Sequence, residues 1–215
     1  MYLPPHFRVD DLGAQHGLIR AHPLGLLVSS GASGIVANPI PFVLDAEASA
    51  KGTLRCHVAR ANPQWRELQG AAECLVVFQG PDAYITPSWY ATKRETGKVV
   101  PTWNYATVHA WGRPVVMDDA DWLRRQITAL TDQQESPRAA PWQVDDAPAP
   151  FIDAQVRGII GIEIEIARIE GKWKVSQNRP EADRAGVVTG LQEQNHSQDM
   201  ATLVAERGRK AGGSA

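Results

Sequence analysis

The sequence predicts a mainly antiparallel β fold, a small closed barrel decorated by peripheral helices. Three observations predict it. In Ile160-Gly161-Ile162-Glu163-Ile164-Glu165-Ile166, isoleucine takes every even position and glutamate two of the odd ones, the alternation of a strand buried on one face. Along Val99 to Met117, Trp103, Tyr105, Thr107, His109 and Trp111 share one parity, and Asn104, Ala106, Val108 and Ala110 share the other. A long strand would therefore carry bulky groups on one face and small ones on the opposite face. Finally, 18 Gly and 15 Pro among 215 residues cut the chain into short pieces, of which about six or seven read as strands.

The elements follow in order. Leu12 to Ala21 is a short amphipathic helix with Leu12, Leu18 and Ile19 on its stripe, ended by Pro23. Gly25 to Ser30, Ile35 to Leu44 and Thr53 to Ala59 are strands, the first two joined by a hairpin-sized turn at Gly31 to Gly34. Pro39 and Pro41 cannot both donate to a ladder, so their strand is an edge or is bent. Asn62 caps a helix with Pro63 at its first position, running through Leu68 to Gly70. Glu73 to Phe78 and Ala83 to Thr86 read as two further strands, and Pro87 to Tyr90 with Thr92 to Lys98 as a turn, or one helical turn, followed by an exposed loop. Asp118-Asp119 opens a helix over Ala120 to Thr131. Pro137 to Pro150 is a connector, Gly171 turns the chain after the isoleucine strand, and the last thirty-five residues form polar helices with a basic tail at Arg207, Arg209 and Lys210.

Composition excludes several function classes. With 22 Lys and Arg against 24 Asp and Glu, the chain lacks the basic excess that holds a phosphate backbone. No apolar run approaches the ~20 residues of a membrane span, and no secretory leader is evident, so a cytoplasmic protein is expected. Cys56 and Cys74 each sit in a strand-like apolar segment and are expected to be buried thiols. His16 and His22 do not share a helix face, which argues against a metal site, and GxSxG, GxxxxGK[ST] and GxGxxG are all missing. The carboxylate pairs Asp10-Asp11 and Asp118-Asp119 read as helix starts, Asp145-Asp146 as connector. No tight two-helix unit with a basic second helix is found.

Three constellations carry chemistry. His57 to Gln64 joins a strand end to a helix start beside Arg60, which suits either a phosphate or a capped helix with a solvated Arg. The face of Trp103, Tyr105, His109 and Trp111 suits a wall for a planar cofactor, a subunit interface, or core. Lys172 to Arg179 gathers three cations with Ser176, Gln177 and Asn178, suiting an anion or a solvated strand end.

Four strings extend this reading: His57-Val58-Ala59-Arg60-Ala61-Asn62-Pro63-Gln64-Trp65, Gly80 to Tyr90, Gly97-Lys98-Val99-Val100-Pro101-Thr102-Trp103-Asn104-Tyr105, and Lys172-Trp173-Lys174-Val175-Ser176-Gln177-Asn178-Arg179. Together with the opening Tyr2-Leu3-Pro4-Pro5-His6-Phe7, they resemble the PaiB family of FMN-binding negative transcriptional regulators. The resemblance implies an FMN-binding split β-barrel related to pyridoxamine-phosphate oxidase, over residues 1–191, with a polar C-terminal helix and tail at 192–215. It implies a homodimer with the flavin at the interface. His57, Arg60, Asn62 and Gln64 would lie near the flavin phosphate, Trp103 and Tyr105 would line the ring or the seam, Lys174 and Gln177 would close the site, and Asn38 would add backbone or amide contacts. A regulator working on DNA or through a partner protein is the implied role. An FMN-dependent oxidoreductase or flavin reductase, and a redox sensor acting through a protein partner, are the alternatives.

Overall fold

The structure is a computed structural model that describes residues 1–32, 34–193 and 197–211, with side chains described as far as Arg207. Arg209 and Lys210 of the expected basic tail lie outside the described side chains. The elements are β1 (Arg8–Val9), α1 (Leu12–Ala21), β2 (Leu24–Gly31), β3 (Gly34–Pro41), β4 (Val43–Asp45), β5 (Thr53–Ala59), α2 (Gln64–Leu68), β6 (Cys74–Ile85), α3 (Ala91–Thr96), β7 (Thr102–Met117), α4 (Ala120–Glu135), α5 (Ala149–Arg157), β8 (Ile159–Lys174), α6 (Glu181–Glu193) and α7 (Gln198–Ala211). Short 3-10 turns occupy Pro5–Phe7, Pro87–Trp89 and Val144–Asp146. The strands run in the order β3-β2-β6-β7-β8-β5-β4, with β1 added on β8.

The described chain forms two compact units. One contains Leu12–Phe78 and His109–Ile169. Its ladders are antiparallel: β2 pairs with β3 and with β6, β4 with β5, and β5 with β8. The β5–β8 register sets Leu54, Cys56 and Val58 opposite Ile164, Ile162 and Ile160, and all six side chains are buried. The isoleucine alternation thus does what its period dictates, while Glu163 and Glu165 face away from that core. A second cluster forms where α4 and α5 pack Trp122, Leu123, Ile152 and Val156 together with Val144. Both cysteines are free and buried; burial pushes the Cys74 thiol up to about 12 and the Cys56 thiol well above its ordinary value.

The other unit contains Met1–Asp11, Gln79–Val108 and the chain from Glu170 onward. Here β1 pairs with β8 through Arg8↔Lys172 and Val9↔Gly171. Met200, Ala201 and Val204 on α7 are buried, as are Val187 and Leu191 on α6.

Several expected elements differ. The strand carrying Pro39 and Pro41 ends the strand order, as an edge, and is interrupted at Phe42, so that β3 and β4 are separate. The two short strands expected within 73–86 are one, β6. Pro87–Trp89 makes the single helical turn, but most of the loop expected after it is helical too, over Ala91–Thr96, stopped by Gly97 in the left-handed conformation (φ 68°), which a residue without a Cβ adopts freely. The 137–150 connector ends in a helix, because Pro148 and Pro150 sit where a missing N–H costs nothing and Ile152 and Val156 supply a buried stripe. Gly171 does not turn the chain; β1 pairs alongside it and β8 continues to Lys174.

Candidate functional site

The sequence-predicted residues fall in two groups. In the Leu12–Phe78 and His109–Ile169 unit, α2 starts one residue later than the Asn-Pro signal predicts, with Pro63 at the N-cap, and Asn62 Oδ1 accepts the Gln64 backbone N–H at 3.0 Å. Gln64 itself is 1% exposed. Its Nε2 donates to the Leu27 carbonyl (3.0 Å) and Ser29 Oγ (3.1 Å), and its Oε1 accepts from Asn38 Nδ2 (2.9 Å). Gln64 is thus a positioning residue: its amide is spent on holding the β2–β3 hairpin and orienting Asn38. His57 Nδ1 lies 2.6 Å from Gln126 Oε1 on α4. Arg60 grips Asp118 with both terminal nitrogens (2.9 and 2.6 Å) and donates to the Arg157 and Ile159 carbonyls. That hydrogen bonding holds the Asp118 carboxyl below the usual range, and leaves the guanidinium occupied by the protein.

In the other unit the aromatic parity of β7 is open at Trp103, half-buried at Tyr105 and closed at Thr107. Trp103 is 54% exposed and packs edge-on to the exposed Tyr84, ring centroids 6.0 Å apart, whereas Asn104, Ala106 and Val108 are buried. Tyr105 lies under Lys172, whose ammonium is 5.3 Å from the ring centre. Lys174 Nζ donates to the Trp103 carbonyl at 2.7 Å and to Thr102 Oγ1. Gln177 turns its amide inward: Oε1 accepts from the Val175 N–H (2.8 Å) and Nε2 donates to the His6 and Trp173 carbonyls.

Gln177 therefore shapes the turn after β8. Within that turn Ser176 takes φ 63°, a left-handed conformation costly for a residue with a Cβ, and its buried Oγ accepts from Asn104 Nδ2 at 2.9 Å. The turn brings Lys174, Asn178 and Arg179 around a cleft of about 140 Å³, with Thr102, Asn104 and Tyr90 completing it. Arg179 lies over the Tyr90 ring at 4.7 Å. Neither Lys174 nor Arg179 has an ion pair among the described residues. Burial first, then the charges of Lys172 and Arg179, pull the Lys174 ammonium below its ordinary range. Positive charge gathered in a cleft without a carboxylate is chemically an anion site.

Sequence reading found the Lys172 to Arg179 donors but missed Thr102, Asn104 and Tyr90. The Asn104–Ser176 contact spans 72 positions, and nothing local announces it. Among the described residues there is no cluster of three or more His, Cys, Asp or Glu able to hold a metal, and no helix is long and apolar enough to cross a membrane.

Comparison with known proteins fits this architecture. A protein from Mycobacterium smegmatis described as binding FAD and haem superposes with a TM-score of 0.57 at 17% identity, over 78% of this chain and 73% of that one, which shows the fold. The fold they share is a mainly antiparallel sheet with peripheral helices. Residues 1–168 match the family described as "Putative FMN-binding domain". An uncharacterized protein of Emericella nidulans is 38% identical over 97% of this chain and 98% of its own. The Bacillus subtilis protein named Protease synthase and sporulation protein PAI 2 is 30% identical over 98% of this chain and 99% of its own. The chain belongs to the PaiB family of FMN-binding proteins, and its cofactor is FMN.

The residues fit that group. FMN carries a phosphate and a flat aromatic ring; the Lys174–Arg179 cleft offers cationic and amide donors, and Trp103 and Tyr84 offer exposed aromatic surface in the same unit.

Proposed function

We propose that the protein binds FMN as a homodimer and acts as a flavin-dependent negative regulator of transcription, with the flavin as the signal it reads. The observation that carries the flavin reading is the cleft at Lys174 and Arg179, two cations with no carboxylate partner beside the exposed Trp103. In this reading the phosphate rests on Lys174, Arg179 and Asn178, and Trp103 and Tyr105 border the ring or the dimer seam. Arg60 and His57 act through Asp118 and Gln126, shaping the strand end between them.

The regulatory part rests on the family resemblance. The formal charge of −2 makes a protein partner the better route than direct operator contact by this chain alone.

The test starts with the absorbance spectrum of the purified protein and titration with FMN. Flavin absorbance, or a rise in melting temperature with FMN, is the expected result; a colourless protein whose melting temperature ignores FMN sinks the reading. A gel shift on its own upstream DNA, with and without FMN, tests the regulator. Oxidation of NADH or NADPH above the free-flavin background, without any effect on DNA, would replace the regulator with an oxidoreductase.

A further inference from the structure

Away from the Lys174 cleft, in the unit containing Leu12–Phe78 and His109–Ile169, α4 roofs a larger cavity of about 400 Å³. That is within the range of pockets that take small organic ligands, roughly 300–1,000 Å³. Its wall is apolar on one side, where Val43, Met117 and Trp122 line it. The other side is polar. Arg55 is already engaged there, donating to Asp45 at 2.8 Å and to Glu163 at 2.7 Å, one cation against two carboxylates. Arg125 also lines the cavity and has no ion pair among the described residues.

The decisive group is Gln126. Its side chain lines the cavity, the residue is 3% exposed, and its Oε1 is taken by His57 at 2.6 Å. Its Nε2 is buried and finds no acceptor among the described residues. Buried donors are nearly always satisfied in folded proteins, and one that is not calls for a partner from outside.

We propose that this cavity is a second ligand site, for a small monocarboxylic acid with an apolar or aromatic body. One carboxylate oxygen accepts from Gln126 Nε2, the carboxylate charge pairs with Arg125, and the apolar body lies against Trp122 and Met117. Arg125, which has no carboxylate partner among the described residues, is the cation open to a ligand carboxylate, and the apolar wall disfavours a fully hydrated anion such as inorganic phosphate. The site is separate from the flavin reading and stands or falls without it.

Benzoate serves as the probe, with benzamide as its uncharged counterpart, both titrated into the full chain by calorimetry and by tryptophan fluorescence. Benzoate is expected to bind in the millimolar range or better and to change the fluorescence, with benzamide weaker by about tenfold. Arg125→Gln, at an exposed position, is expected to leave the melting temperature unchanged and weaken benzoate about tenfold. Gln126→Leu is expected to weaken it as well, read only if circular dichroism shows the variant folded. Failure of benzoate to bind the folded protein, equal binding of benzamide, or wild-type affinity in Arg125→Gln would each overturn the proposal. So would loss of benzoate binding on saturation with FMN, since the cavity would then belong to the flavin site.

Discussion

Asn38 and Gln64 form one continuous hydrogen-bonded unit: the Asn38 amide donates to Gln64 Oε1 at 2.9 Å, and Gln64 passes its own donors to Leu27 and Ser29. A side chain on a five-residue helix thereby fixes both strands of the β2–β3 hairpin. Gln64→Leu removes these bonds and strands buried polar groups, at a cost of about 2–3 kcal/mol. At about 2–4 °C per kcal/mol for a chain this size, the melting temperature should drop by about 5–10 °C. Thermal unfolding followed by circular dichroism checks it, and an unchanged midpoint would remove Gln64 from the role of clamp.

Lys174 gives the flavin site a pH signature. Its ammonium is held below the ordinary lysine range by burial and by the cations Lys172 and Arg179, and a bound phosphate favours the charged form. Affinity for FMN is therefore full below the ligand-free pKa of Lys174 and falls as pH rises through it, in a window lower than that of an ordinary lysine. Titrations above about pH 7, where the phosphate is already a dianion, should show this decline. Lys174→Gln should bind more weakly and lose the pH dependence.

Two ion pairs predict acid sensitivity. Hydrogen bonding from Arg55 holds the Asp45 carboxyl low, and Arg60 does the same for Asp118. Because the folded values lie below the unfolded ones, the stabilisation is fully present above the ordinary carboxylate range. It is lost as pH falls through the folded values. With Asp118 62% exposed the effect is modest, and salt reduces it. Urea midpoints between neutral and roughly pH 3 should decline less steeply in an Arg55→Gln, Arg60→Gln double variant than in the parent; parallel curves would deny the pairs this role.

If the aromatic side of β7 is a dimer seam, Trp111 is its anchor. The Arg168 guanidinium sits 3.5 Å from the centre of its ring and His109 lies 5.5 Å away. Sedimentation velocity should show a dimer for the parent and a slower, monomeric species for Trp111→Ala. A parent that sediments as a monomer at all concentrations would end the seam reading.

How much of this was legible follows from what each signal depends on. The isoleucine alternation of β8 and the Leu12–Ala21 helix are local periodicities, and both appear as the spacing predicts. Helix α5 hid behind Pro148 and Pro150, which read as connector residues although a proline at a helix start is compatible with its fixed φ. Gly171 read as a turn because its strand partner, Val9, lies far away in sequence. At the site, the donor types of 172–179 were visible, but not that Gln177 and Gln64 spend theirs inside the protein, which is a tertiary fact. Gln126 did carry a signal: a polar residue on the Trp122, Leu123 and Ile127 stripe of an amphipathic helix is out of place unless something asks for it.

The prolines of β3 have a consequence outside the folded monomer. The Phe42 N–H donates to the Pro23 carbonyl, so even-numbered residues of this strand face β2 and the odd positions 39 and 41 present their missing N–H groups outward. An edge strand that also exposes Ile35 would otherwise offer a row of donors to any neighbouring chain. The two imides leave gaps in that row, which makes the edge a poorer template for pairing with another chain.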